Sequence, residues 1–227
     1  MFTEPTSKNI SLLIPPNYST WQTIELTYQA CQDVIKRNVE GVFVECGIAA
    51  GNNFAAMCLA GRHGYGFDSF EGIPWAGPKD TEQPGIGNKT VELEWINGIP
   101  VKSYIGGGFV DNTISSGVTV HTMDNVMKDM EKYGIKNYSL IKGWFINTLP
   151  TWNLPISVLR LDGDLYSSTY ESLTYLWPHL SEGGILIVDD WNLGGCRLAF
   201  DEYFLNNYGK HYRPQLILNN GVTYWKK

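Results

Sequence analysis

The four cysteines form no C-x-x-C pair, the four histidines form no cluster, the lysines and arginines form no run, and no apolar stretch approaches the roughly 18 residues a membrane span requires. Each absence excludes a class of protein. Cys31, Cys46, Cys58 and Cys196 are scattered, which suits reduced, buried thiols better than a disulfide framework or a zinc site. His63, His121, His179 and His211 stand apart and read as surface or satisfied polar residues rather than a base or a ligand set. A net charge of −6 and a pI near 5.2 argue against a protein that grips phosphate backbones, so no nucleic-acid partner is expected. The opening residues MFTEPTSKN show neither the basic nor the apolar segment of a secretory signal, and with no candidate span the expectation is a cytoplasmic protein without a membrane partner. No G-x-G-x-x-G fingerprint occurs, which counts against a nicotinamide dinucleotide, and there is no internal repeat.

With 227 residues, 43% of them hydrophobic, the chain suits one α/β domain spanning 1–227, and hence one site. It is organised around Val158 to Trp191. An apolar run, Ile156 to Leu161, ends in Asp162 and Asp164; a second, Ile185 to Val188, ends in Asp189 and Asp190. Between them Ser168 and Glu171 read as an S-x-x-E capping box opening an amphipathic stretch that stops at Pro178. Two buried parallel strands joined by a right-handed crossover leave their carboxyl ends on one sheet edge, where open α/β sheets bind ligands. Asp162 and, 27 and 28 residues later, Asp189 and Asp190 would then converge, and three carboxylates suit a hard divalent cation such as Mg²⁺. The blander reading is that one Asp of each pair caps the next helix, an even choice for Asp164.

Residues 1–18 read as an N-terminal arm, followed by a helix from Ser19 to Arg37 whose apolar residues recur at helical spacing. The stretch from Gly41 to Gly51 reads as a strand, a glycine turn and a helix beginning near Asn52 or Asn53, in the form E-x-G-x-x-x-G. Glycines there let backbone approach a ligand, although a tight turn in any doubly wound protein looks similar. A second strand, Gly64 to Phe67, ends in Asp68, 21 residues after Gly47, the position from which a carboxylate accepts from a ribose diol; the alternative is a turn cap. Residues 71–101 break the rhythm with scattered Gly, Pro and Asn around Trp75 and Trp95 and read as a lid or an interface insertion, with Gly106 to Gly108 continuing it. Met123, Val126, Met127 and Met130 read as a core stripe on a helix. Tyr138 to Phe145 reads as a strand with Gly143 at its end, and Trp144 and Phe145 as core or as purine-contacting surface in equal measure. Ala199 to Asn206 reads as a short helix, and Gln215 to Trp225 as a hairpin about Asn220-Gly221.

VECGIAAG, FDSFEGIP, IKGWFINTLP, LRLDGDLYSSTYESL and GGILIVDDW, in this order over about residues 40–195, resemble the macrocin O-methyltransferase (TylF-like) family. The resemblance implies a class I methyltransferase (Rossmann-like) doubly wound sheet, mostly parallel with an antiparallel C-terminal hairpin. It implies S-adenosylmethionine as cofactor, Mg²⁺ dependence, a homo-oligomer, and methylation of a hydroxyl on a sugar or related small natural product. By motif, Glu45, Gly47 and Gly51 would line the methionine end of the cofactor, Asp68 the ribose, and Ser69, Gly143 and Trp144 the adenine edge; Asp162, Asp189 and Asp190 would be the metal ligands. The chain departs from the family in carrying Ala49 and Ala50 where a bulkier residue is common. Related catechol enzymes place a lysine three residues after the first metal Asp, where this chain has Leu165. Asp162 is then the first candidate proton acceptor and Asp164 the second, and a metal chelating the acceptor favours a hydroxyl with an adjacent oxygen. The rivals are a nucleoside-binding protein that lost the chemistry, and a phosphatase suggested by L-D-G-D-L, a motif that sits too late in the chain for that fold.

Overall fold

Near-continuous apolar runs such as Ile156–Leu161 are the pattern of strands covered on both faces, as parallel strands are. The computed structural model describes residues 5–74, 76–81, 89–96, 99–105, 113–115, 121–218 and 221–227. In chain order the elements are α1 (Trp21–Lys36), β1 (Val42–Cys46), α2 (Asn52–Leu59), β2 (Gly64–Asp68), α3 (Pro78–Thr81), β3 (Lys89–Ile96), β4 (Ile99–Ile105), β5 (Thr113–Ser115), α4 (Met123–Lys132), β6 (Tyr138–Lys142), α5 (Phe145–Thr148), β7 (Ile156–Leu161), α6 (Tyr166–Leu176), β8 (Leu180–Val188), α7 (Gly194–Tyr208), β9 (Leu216–Ile217) and β10 (Thr223–Lys226). Seven strands form one sheet in the order β6-β2-β1-β7-β8-β10-β9. The first five are parallel, and β10 runs antiparallel to both β8 and β9. This is the class I methyltransferase arrangement, with its direction of winding reversing between β1 and β7.

Side chains alternate between faces with the strand period of two. Phe43, Val158, Ile185 and Ile187 pack beneath α1 with Leu26, Ala30 and Val34. Val44, Leu159, Leu161, Leu186 and Val188 face the other way, onto Leu173 and Leu176 of α6 and Phe200 and Phe204 of α7. The N-terminal arm docks rather than trailing. Ile10 and Ile14 are buried, Glu25 Oε1 accepts from the amide of Ile10 at 2.5 Å, and Asn52 donates to the Pro15 carbonyl at 2.6 Å.

Several local expectations change. In α4 Val126 and Met130 are buried, but Met127 is 44% exposed, because it lies off the stripe set by Met123, Val126 and Met130. The last helix is longer than Ala199 to Asn206. The 71–101 stretch is not wholly irregular: β3 and β4 pair antiparallel, with β5 added to β4, as a separate three-stranded sheet. Trp75, the Trp95 side chain, the 106–108 glycines and Asn220 lie outside the described residues. The hairpin strands themselves pair, Leu218 donating to Val222 at 2.8 Å.

The expected capping box is absent. α6 starts two residues before Ser168, which is buried inside the first turn, and its N-cap Leu165 has no capping side chain. The cap comes instead from α3. Asp80 is buried, its Oδ1 accepts from the Tyr166 amide at 2.7 Å and its Oδ2 from the Gly77 amide at 3.1 Å. Lys79 reinforces the contact by donating to Glu202 at 2.5 Å and to the Tyr166 hydroxyl at 2.8 Å. A carboxylate at a helix N-terminus satisfies an orphan donor and complements the dipole. Asp80→Ala is therefore expected to destabilise the protein by about 1–2 kcal/mol, and Asp80→Asn, which keeps an acceptor, by less; urea denaturation midpoints measure both.

Candidate active site

The strand registers align Cys46 with Leu161 and with Phe67, and Leu161 with Val188, so four strands end level. The ladder then runs one residue further. Gly47 donates to the Phe67 carbonyl at 2.8 Å, Asp162 to Cys46 at 2.9 Å, Asp189 to Leu161 at 2.9 Å and Gly143 to Asp68 at 2.9 Å. Gly47, Asp162, Asp189 and Gly143 are thus held by the sheet itself at one edge, where a cavity of about 560 Å³ opens. That lies within the roughly 300–1,000 Å³ of small-molecule sites.

The cavity brings together Gly47, Asp68, Ser69, Gly143, Trp144, Asp162, Asp164, Asp189 and Asp190 from the residues singled out in the sequence. Glu45 and Gly51 do not line it. Gly51 caps α2 at φ +80, and a Cβ there would meet Val126 at 2.9 Å. Glu45 lies beneath the edge, 1% exposed. Tyr18 of the arm, Ile73 and Pro74 from the stretch read as a lid or an interface insertion, and Ser167, Ser168 and Glu171 of α6 also line the cavity; in the sequence Ser168 and Glu171 carried a capping role only, and nothing signalled Tyr18 or Ser167.

Gly47 permits the closest approach in the site. Its φ is +85, and an added Cβ would sit 1.7 Å from the Asp162 carbonyl oxygen. Around it Ala49, Phe70 and Asp164 take positive φ values of 43, 55 and 61. Such residues persist where their surroundings over-determine them, and here the determinant is the same each time. The Ala49 amide donates to Asp68 Oδ2 at 3.0 Å, the Phe70 amide to Asp68 Oδ1 at 2.7 Å, and the Asp164 amide to Asp190 Oδ2 at 3.0 Å. Asp68 thereby joins the turn after β1 to the turn after β2. Burial pushes its pKa up while those amides oppose the shift, and its carboxylate keeps lone pairs for a further donor. Ser69 is turned inward, donating to the Gly72 carbonyl and accepting from the Glu71 amide.

Arg160, fully buried in β7, is the group that reading the sequence missed. Its Nη1 donates to Glu45 Oε1 at 2.5 Å and to Asp162 Oδ2 at 2.7 Å, and its Nη2 to Asp189 Oδ1 at 2.5 Å. A signal existed: one charged residue inside an apolar run, opposite Glu45 in the parallel register. Burial alone would lower the Arg160 pKa, but Asp189, Asp162 and Glu45 outweigh it and raise it, so the guanidinium stays charged. Burial pushes Glu45 and Asp189 upward, with repulsion from Asp162 adding to it, and the charged Arg160 guanidinium bonded to both opposes the shift. Asp164 and Asp190 are also raised, by burial first and then by neighbouring carboxylates.

Asp162, Asp189 and Asp190 each present a carboxylate oxygen within 4.8 Å of the others. One oxygen of each is engaged by protein, by Arg160 or by the Asp164 amide, and the other has no protein donor among the described residues. Three hard oxygens under mutual repulsion are the donor set of a divalent cation such as Mg²⁺, and the residues fit one.

The family model for macrocin O-methyltransferase (TylF) matches residues 110–227, just over half of the chain. The chain belongs to this family. It is 32% identical over 193 residues to demethyldecarbamoylnovobiocin O-methyltransferase of Streptomyces niveus, an alignment covering 79% of this chain and 64% of that protein. It is 31% identical over 184 residues to a Streptomyces olivaceus enzyme named 8-demethyl-8-(2,3-dimethoxy-alpha-L-rhamnosyl)-tetracenomycin-C 4'-O-methyltransferase, covering 76% and 61%. The chain therefore spans less than two thirds of either relative. The structure of the O-methyltransferase NovP superposes with a TM-score of 0.68 at 27% identity, over 93% of this chain and 82% of that one. The strand order agrees with the sheet that the resemblance implied.

Gly47→Ala is expected to lower the thermal unfolding midpoint more than Gly61→Ala, because Gly61, at φ +116, has nothing within 4 Å of an added Cβ. The Gly61 change isolates the backbone cost of roughly 1 kcal/mol or more; equal midpoints would mean that the Asp162 carbonyl moves freely aside.

Proposed function

We propose that the protein is an S-adenosylmethionine-dependent, Mg²⁺-dependent O-methyltransferase acting on a hydroxyl, with an adjacent oxygen, of a sugar or other small natural product. The observation that carries this is the carboxylate trio Asp162, Asp189 and Asp190 lining the same cavity as Gly47 and Asp68, with oxygens within 4.8 Å of one another, in a chain of the TylF family. Relatives over three quarters of the chain are named O-methyltransferases, one of them for a rhamnosyl compound, which supports the substrate class. We place the enzyme in the cytoplasm, in keeping with four buried, free cysteines. Among the described residues no helix is long and apolar enough to cross a membrane.

In this reading the cofactor supplies the methyl group, and a divalent ion, when bound, lowers the pKa of the acceptor hydroxyl. The chain does the rest. Gly47 and the turn after it let the backbone approach the cofactor, and Asp68 accepts from its ribose hydroxyls. Trp144, 37% exposed at the cavity wall, gives its ring to the adenine edge. Asp162, Asp189 and Asp190 hold the ion. The proton released by the acceptor passes to a carboxylate at the cavity, Asp162 or Asp164. Ser167 and Glu171, on the α6 wall, are placed to bind the hydroxyls of a polar acceptor. Alignment and water exclusion supply the remainder of the rate.

The test is calorimetric titration of S-adenosylhomocysteine, with Mg²⁺ and with chelator. Micromolar binding is expected, and its absence under both conditions would remove the methyltransferase reading. Asp189→Asn is expected to abolish turnover of vicinal-diol acceptors while leaving S-adenosylhomocysteine affinity within about twofold; retained Mg²⁺-dependent activity would sink the metal assignment. Asp164→Asn separates the two candidate acceptors, since Asn tolerates the positive φ of residue 164. A fall in kcat of about a hundredfold with unchanged Mg²⁺ affinity is expected if Asp164 takes the proton; unchanged kcat assigns the role to Asp162.

A further inference from the structure

Glu45 occupies the acidic position of the first glycine motif, from which family resemblance sends it to the cofactor. Its geometry sends it elsewhere. Glu45 and Arg160 are register partners on adjacent parallel strands, and the period of two puts both side chains on the same face of the sheet. Glu45 is 1% exposed and does not line the cavity, and its Oε1 is bonded to Arg160 at 2.5 Å. Its Oε2 is buried without a hydrogen-bond partner among the described residues, as is Arg160 Nε. A carboxylate that held a ligand would present an oxygen to the cavity; this one presents both to the interior.

Arg160 carries the connection upward. A guanidinium is planar and rigid, so the groups it bonds are fixed relative to one another. Here those groups are Asp162 Oδ2 at 2.7 Å and Asp189 Oδ1 at 2.5 Å, which belong to loops after different strands. Each aspartate gives one oxygen to the guanidinium, and its other oxygen takes no donor among the described residues. The Asp164 amide takes one oxygen of Asp190 at 3.0 Å. One cation also offsets part of the repulsion among the carboxylates, three of which present an oxygen within 4.8 Å of one another.

We propose that Arg160 is the positioning residue of the cation site, that Glu45 clamps it from below, and that Glu45 thereby serves the cation rather than the cofactor. This rests on the reading of Asp162, Asp189 and Asp190 as a Mg²⁺ site. Partners behind metal ligands orient them, and their loss usually weakens metal binding by roughly 10- to 100-fold. In Arg160→Lys one ammonium replaces the fork and cannot hold Asp162 and Asp189 in the same relation. In Glu45→Gln the clamp loses its charge, and the uncompensated guanidinium draws harder on the two aspartates.

The experiment titrates Mg²⁺, and separately S-adenosylhomocysteine, into the full-length wild type, Arg160→Lys and Glu45→Gln by calorimetry. Mn²⁺ is followed by electron paramagnetic resonance as a direct report of the coordination sphere, and thermal unfolding confirms that each variant is folded. Both variants are expected to bind Mg²⁺ about 10-fold or more weakly, with an altered Mn²⁺ spectrum and S-adenosylhomocysteine affinity within about twofold of wild type. If Arg160→Lys does not fold, Glu45→Gln carries the same comparison, because Arg160 there keeps both aspartates. Unchanged Mg²⁺ affinity and Mn²⁺ spectrum in Glu45→Gln would overturn the proposal, as would a large loss of S-adenosylhomocysteine affinity, which would return Glu45 to the cofactor. A wild type that binds S-adenosylhomocysteine but neither Mg²⁺ nor Mn²⁺ overturns the cation site itself, and this proposal with it.

Discussion

A positive charge sealed inside a parallel sheet is costly unless carboxylates surround it, and removing one partner of such a pair leaves an uncompensated buried ion. Arg160 meets that condition with three, Glu45 from the neighbouring strand and Asp162 and Asp189 from the sheet edge. The arrangement ties the interior of the sheet to its functional rim. It depends on the strands ending level, because a one-residue slip of β7 against β1 would send Arg160 to the opposite face, among Leu159, Leu161 and the α6 helix. The apolar packing on both faces therefore does more than stabilise: it holds the register that lets one guanidinium reach three carboxylates.

Above the rim a second set of contacts uses the same chemistry with neutral donors. Asp68 and Asp190 accept from the amides of Ala49, Phe70 and Asp164, three residues with unfavourable backbone angles. The amides satisfy the buried carboxylates, and the carboxylates in turn hold the loops of the cavity wall in shape. The close approach at Gly47 belongs to the same device, since a side chain there would displace the Asp162 carbonyl and the carboxylate it carries.

The wall formed by α6 is anchored from a distance. Asp80 comes from 86 residues earlier in the chain and supplies the cap that the helix's own sequence does not. Ser167, Ser168 and Glu171, which face the cavity, thus sit on a helix whose first turn is held by the segment following β2. The Lys79, Tyr166 and Glu202 cluster forms the outer contact between α3 and that wall.

Much of this was legible in the chain. Apolar runs closed by acidic residues identified β7 and β8 and placed Asp162, Asp189 and Asp190 on one edge, because parallel strands with crossover helices have no other way to end. Asp68 and Gly47 followed from the same rhythm. Periodicity located α1 and α4 but overcounted Met127, since a repeat of three or four residues does not say where the apolar stripe stops. The capping box at Ser168 failed because a cap is decided by whichever oxygen reaches the amide, and Asp80 is near only in three dimensions. Glu45 and Arg160 show the division most clearly. The sequence alone determined that each lies within a buried strand; only the pairing of β1 with β7 decided that they face one another, for the partner of a buried charge is chosen by register, and register is a property of the assembled sheet.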